Sequence, residues 1–160
     1  MTTSPDLRFL FRHPAHLIAM GFGTGLAPKA PGTVGTLLAF PIFWLLPNNG
    51  MEPIFIALSF LFGIHVCGVT GRNLGVIDHG GIVWDEVVAM LLLLHLVPAT
   101  PTHWALAFVL FRLFDIWKPF PIRTLDARLK NGFGVMLDDL LAAGYAWAAL
   151  WAYAWLTTQF

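Results

Sequence analysis

Five apolar stretches, separated by links of two opposite kinds, constrain this chain more than any single residue does: Thr33 to Leu46, Met51 to Thr70, Ile82 to Val97, His103 to Trp117 and Leu140 to Thr157. The links Pro47 to Gly50 and Pro98 to Thr102 contain no charged residue, whereas the others contain nearly every charge. With 58% hydrophobic and only 11% charged residues in 160 positions, so much apolar surface cannot be hidden inside one small globule, and a membrane is the expected solvent. A perpendicular helix needs about 20 residues to cross the hydrocarbon core, which only the second and fifth stretches approach. The shorter ones must borrow flanking residues, thin the bilayer or stop partway. The expected fold is all-α: a single helical membrane domain over residues 1–160, with about four to five apolar helices and charged loops at one end.

All nine basic residues, Arg8, Arg12, Lys29, Arg72, Arg112, Lys118, Arg123, Arg128 and Lys130, fall in or beside segments that alternate crossing places on one side. The positive-inside rule makes that side cytoplasmic. Asp6, Asp78, Asp85, Glu86, Asp115, Asp126, Asp138 and Asp139 share it, and Glu52 alone lies opposite. Carboxylates contribute little to topology, so their gathering needs another reason. For Asp6, Asp126, Arg128 and Lys130 a solvated loop is reason enough. The formal net charge of +0 offers no basic field for nucleic acid. The lone Cys67 excludes an internal disulfide and a thiolate-rich zinc site. Arg8 and Arg12 are followed by Pro14 and a Gly/Pro-rich stretch before any long apolar run, so no cleavable signal peptide is expected. The chain shows no internal repeat, low-complexity tract or dividing linker.

Four constellations can carry chemistry. In Gly21-Phe-Gly-Thr-Gly-Leu-Ala-Pro-Lys-Ala-Pro-Gly-Thr-Val-Gly35, glycines let backbone approach a ligand, N–H groups ahead of a helix make an anion nest, and Lys29 adds a point charge. The loop matches neither the dinucleotide fingerprint nor the P-loop, and a plain membrane-entry turn also accounts for it. In Asp78-His-Gly-Gly-Ile-Val-Trp-Asp85-Glu86 an acidic pair stands at the mouth of an apolar helix. The helix dipole accounts for one acid, but ionisable residues entering a membrane segment are costly and point to function. Asp78 can equally be a helix cap.

In Phe111-Arg112-Leu-Phe-Asp115-Ile-Trp-Lys118-Pro-Phe-Pro-Ile-Arg123, Arg112 and Asp115 share one helix face, either as a self-satisfied ion pair or with Asp115 turned to a metal. In the second case Arg112, Lys118 and Arg123 grip phosphate oxygens, while Pro119 and Pro121 end the helix. Gly132-Phe-Gly-Val-Met-Leu-Asp138-Asp139 puts a second acidic pair directly ahead of the last apolar run. Two acidic pairs and Asp115 offer hard oxygen donors without His or Cys, which suits Mg²⁺ better than zinc. Such an ion can clamp phosphoryl oxygens and activate water.

The six histidines fit no metal-ligand spacing, and His65 and His95 read as satisfied core or pore-facing imidazoles. Cys67 to Arg72 is one residue short of the cysteine-phosphatase loop, and a Cys within an apolar helix is usually inert. Neither the DxDx(T/V) nucleophile of haloacid dehalogenase phosphatases nor the blocks of type 2 phosphatidic acid phosphatases are present.

Taken in order, GFGTGLAPKAPGTVGT, DHGGIVWDEVVA, LFRLFDIWKPFPIR and NGFGVMLDDLLAAGY resemble the phosphatidylglycerophosphatase A family, over about residues 21–145. Ala89 and Ala143 depart from the family's glycine pattern, small for small, and touch packing only. The resemblance implies an all-helical bacterial inner-membrane enzyme that hydrolyses phosphatidylglycerophosphate to phosphatidylglycerol and phosphate with Mg²⁺. On this reading Asp85, Glu86, Asp115, Asp138 and Asp139 hold the metal, Lys29, Thr33, Arg112, Lys118 and Arg123 orient the phosphate, and an activated water attacks phosphorus in line. An aspartyl-phosphate route is the competing chemistry. Another membrane lipid phosphate as substrate, or a small transporter using the interfacial charges, are the alternative functions. Against the transporter, the acids cluster at the interface and no paired broken helices mark a midplane site.

Overall fold

The computed structural model describes residues 5–47 and 49–158, and among them every regular element is helical. Two short helices come first, α1 (Leu7–Arg12) and α2 (Pro14–Ala19). Asp6 caps α1, its Oδ1 accepting from the Phe9 N–H at 2.7 Å. A 3₁₀ segment, Gly21–Leu26, then leads into α3 (Pro31–Leu45). There follow α4 (Glu52–Leu74), α5 (Trp84–Leu96), α6 (Pro101–Trp117), α7 (Ile122–Arg128) and α8 (Gly132–Thr158). Proline opens α2, α3 and α6, where its missing N–H costs nothing, and Gly75 at φ 78° ends α4.

Helix α5 is the axis of the fold. Val87, Val88, Ala89, Met90 and Leu91 lie in sequence with at most 1% of their surface exposed. A helix apolar on all sides must be surrounded, and α3, α4, α8 and α6 surround it. The α4–α8 crossing is close because Gly132 has no side chain. A Cβ there would collide with the Ile64 carbonyl and stand 2.8 Å from the Gly68 nitrogen. Backbone does not yield as a side-chain tip does, so Gly132→Ala is expected to destabilise the fold by about 1–3 kcal/mol, seen as a lowered melting temperature in detergent.

Apolar side chains also face outward: Ile54, Leu58 and Leu61 on α4, and Trp147, Trp151 and Trp155 on α8 are exposed. By length and composition α4 and α8 can cross a membrane, whereas α3, α5 and α6 have 15, 13 and 17 residues. The last helix begins earlier than its apolar run: from Gly132, it carries Asp138 and Asp139 about two turns inside rather than ahead of it. Dipole attraction, confined to the first turn, therefore accounts for neither acid. His65 and His95 are exposed rather than buried; the buried imidazole is His16, whose Nδ1 lies 2.9 Å from the Phe9 carbonyl and Nε2 2.8 Å from Asn73.

Candidate active site

The starts of α3, α5 and α8 meet the ends of α4 and α6 at one end of the bundle, and the acids converge there in two ion-paired groups. Arg112, near the end of α6, holds the first. Its Nη1 donates to Glu86 Oε1 on α5 at 2.8 Å and lies 2.6 Å from Asp115 Oδ2 one turn along α6. It also reaches the hydroxyl of Thr36 on α3 at 3.4 Å. Burial is incomplete but deep, with 15% of the Arg112 side chain and 12% of Glu86 and Asp115 exposed. Arg112 and Asp115 thus pair along one helix as their spacing implies, but the guanidinium also ties that pair to α5 and α3.

Lys118 holds the second group. It caps α6 in the left-handed conformation, φ 46°, which is rare for a residue with a side chain. Its Nζ lies 2.5 Å from Asp138 Oδ2 on α8, 3.2 Å from Asp126 Oδ2 on α7 and 4.0 Å from Asp78 Oδ2 in the turn before α5. Burial works to lower the Lys118 pKa, yet the hydrogen bond to Asp138 and the charges of Asp138, Asp78 and Asp126 prevail and push it up. Partial burial opposes ionisation of Asp126, but Lys130 at 3.1 Å and Lys118 hold its pKa below the usual carboxylate range. A depressed carboxylate contributes stability above its unfolded value, about 3.9, and loses it as the pH falls through the lower folded value. Asp126→Asn should therefore remove a small acid-side slope from melting temperature measured between pH 5 and 3, worth at most about 1 kcal/mol at so accessible a site.

Between the groups lie Asp85 and Asp139, with 6% and 4% of their surface exposed. Asp139 is within electrostatic reach of Asp115, Asp85, Asp138 and Glu86, and Asp85 of Glu86, Asp138 and Asp78. Neither takes part in the ion pairs just described. Lys29 and Arg123 are exposed, and Thr33 is half-buried on the first turn of α3; these three also stand outside the ion pairs.

Two residues that the sequence does not assign to the site join the cluster. Asp126, assigned to a solvated loop, pairs with Lys118 because α7 folds back against α8. Asp78 is not a cap, since the N-cap of α5 is Val83 without a side-chain hydrogen bond; its carboxylate faces Lys118 instead. Oxygens of Asp78, Asp126 and Asp138 lie within 4.8 Å of one another. Thr36 joins them through Arg112, three residues from the threonine the sequence favours. No local pattern assigns these three to the site, because the contacts join different elements.

A cavity of about 530 Å³ opens at the opposite end, lined by Glu52, His95 and Trp104 among apolar side chains. Its single carboxylate accepts from the Asn49 N–H at 3.1 Å in the first turn of α4, a capping contact. Without converging cations or further acids it does not offer phosphoryl chemistry, and the polar cluster is the better candidate.

Comparison with known proteins points to phosphatases. Residues 17–154 match the family described as Phosphatidylglycerophosphatase A. A Phosphatidylglycerophosphatase A of Haemophilus influenzae is 49% identical over 148 residues, covering 89% of this chain and 90% of the relative. One of Escherichia coli K12 is 41% identical over 138 residues, covering 84% and 80%. A Bacteroides thetaiotaomicron protein, named as a candidate phosphatidylinositol-3-phosphatase, is 37% identical over 150 residues, covering 88% and 93%. No solved structure matches the chain. Matched along nearly its whole length, the chain belongs to the phosphatidylglycerophosphatase A family and is a phosphatase.

Proposed function

We propose that this enzyme hydrolyses phosphatidylglycerophosphate to phosphatidylglycerol and inorganic phosphate for phospholipid synthesis, as a multi-pass protein of the bacterial cytoplasmic membrane with its site on the cytoplasmic side. The observation that carries the reading is the convergence of seven carboxylates, Arg112 and Lys118 at the same end of an apolar bundle, the end that also carries the basic loops. A phosphomonoester on a lipid headgroup lies at that height, just outside the hydrocarbon. The names of the relatives, two for one glycerophospholipid phosphate and one for another, support the same substrate class.

The donors fit a hard divalent cation. They are all carboxylates; oxygens of Asp138 and of its neighbours Asp78 and Asp126 lie within 4.8 Å of one another beside Lys118, and Glu86 Oε2 is buried without a hydrogen-bond partner among the described residues. Asp85, Glu86, Asp115, Asp138 and Asp139 would hold Mg²⁺, with Asp78 and Asp126 close enough to contribute. When bound, Mg²⁺ supplies positive charge against the phosphoryl oxygens and acidifies water. The chain's own groups do the rest. Lys118 and Arg112, with Lys29, Arg123 and Thr33 at the rim, orient the phosphate. A carboxylate of the Asp85–Asp139 region takes a proton from the attacking water as its oxygen bonds to phosphorus. The bond to the glycerol oxygen breaks, and that oxygen takes a proton from water as it leaves.

The test is phosphate release by purified protein in detergent, from phosphatidylglycerophosphate, phosphatidate and phosphatidylinositol 3-phosphate, with Mg²⁺ and with a chelator. Turnover is expected to be fastest on the first lipid and to fall by at least about 100-fold on chelation. Full activity in chelator would end the metal reading, and preference for another lipid would transfer the enzyme to that substrate. Failure to trap a phosphoenzyme in acid-quenched single turnovers is expected for direct attack by water.

A further inference from the structure

The glycine-rich loop invites a phosphate, yet what lies against its glycine at the start of α3 is a carboxylate. Gly32 is the second residue of α3, and no side chain caps that helix start. The Glu86 carboxylate of α5 rests on it: a Cβ at Gly32 would collide with Oε1 and stand 2.8 Å from Cδ and 3.0 Å from Oε2. One turn further, Thr36 is fully buried and donates its hydroxyl proton to the Gly32 carbonyl at 2.8 Å. With that proton committed, the hydroxyl oxygen faces Arg112 Nη1 only as an acceptor.

We propose that Gly32 and Thr36 are positioning residues: together they form a seat that fixes the Glu86 carboxylate and the Arg112 guanidinium relative to each other, and through them Asp115. The proposal rests on the reading that Glu86 belongs to the active site and adds a function for the loop that phosphate binding does not include. Gly32 supplies the floor, since only a missing Cβ lets both carboxylate oxygens approach α3 so closely, and the positive end of the helix favours the anion there. Thr36 supplies the wall that keeps Nη1 between Glu86 and Asp115. The seat yields selectively. A methyl group at Gly32 meets the tip of a flexible side chain rather than backbone, so the helix stays where it is and Glu86 moves off Arg112. Alanine also suits a helix better than glycine, so the fold should tolerate the change.

The experiment is a double-mutant cycle on purified protein, reading kcat and KM for phosphatidylglycerophosphate together with melting temperature. Gly32→Ala is expected to lower kcat by about 10- to 100-fold with KM little changed, because displacing a site group by an ångström is enough for such a loss. In the Glu86→Asp background, whose side chain is one methylene shorter and withdraws from the new methyl, the same change is expected to cost no more than about threefold. Thr36→Val should lower kcat about tenfold and Thr36→Ser restore it, with melting temperatures close to wild type. An equal cost of Gly32→Ala in both backgrounds overturns the seat, as does wild-type kcat in both Gly32→Ala and Thr36→Val. Glu86→Gln separates the two ideas: wild-type activity there removes Glu86 from the site, whereas its loss combined with additive Gly32→Ala and Glu86→Asp effects refutes the seat alone.

Discussion

Asp139→Asn is expected to lower phosphate release by about 10²- to 10⁴-fold while leaving the melting temperature unchanged or raised. Asp139 stands about two turns inside α8 with 4% of its surface exposed, beyond the reach of the helix N-terminus. The charges of Asp115, Asp85, Asp138 and Glu86 all act on it, and the two cations of the cluster are engaged elsewhere, Arg112 with Glu86 and Asp115, Lys118 with Asp138, Asp126 and Asp78. A buried carboxylate among carboxylates is a cost to the fold. Asparagine keeps the shape and removes the charge, so the fold gains or breaks even. The cost is borne because the group acts on phosphate or on the cation that accompanies it. The measurement is initial-rate phosphate release beside thermal unfolding of the same preparation. Wild-type turnover would remove Asp139 from the chemistry; lost activity with a collapsed melting temperature would make its role structural.

What could be read in the sequence follows from how local each feature is. Hydropathy places the apolar stretches because helix formation depends on neighbours a few residues away, but not their ends: the structure opens helices at Pro31 and Pro101, ahead of the apolar runs, and closes one at Gly75, beyond its run. The basic residues disclosed which end holds the acids. The start of α8 was misplaced because Gly132 to Leu137 reads as loop by composition, yet Gly132 is what allows α8 to pack on Ile64 and Gly68 so early. Within the site, Asp85, Glu86, Asp138 and Asp139 were conspicuous as pairs at the edges of apolar runs. Asp126 is an ordinary loop acid, and Asp78 suits a helix cap equally well, until α6 ends and Lys118 reaches across to both. Thr33 and Thr36 look alike in the sequence. The α-helical turn selects Thr36, whose side chain points to the interior against α5 and α6 while Thr33 remains half-buried.

Arg112→Met is the substitution expected to cost the fold most. Arg112 bridges two carboxylates that are each only 12% exposed and belong to different helices, at 2.8 Å to Glu86 and 2.6 Å to Asp115. Removing the bridge leaves two like charges facing each other in a poorly hydrated place, and breaking a buried pair from one side costs about 3–5 kcal/mol. Arg112→Lys keeps the charge but not the guanidinium geometry that sets Nη1 against both partners, so its cost should fall between wild type and Arg112→Met. Combining Arg112→Met with Glu86→Gln removes charges of both signs and should recover much of the stability, although not the activity. Thermal unfolding of the four proteins in one detergent, beside their phosphate-release rates, separates the two roles open to this residue. An arginine whose task is to grip the phosphate alone faces the substrate, and its loss lowers turnover while the melting temperature holds. An arginine that organises the site lowers both, and recovers the melting temperature when Glu86 is neutralised; two short ion pairs reaching two helices predict this second outcome.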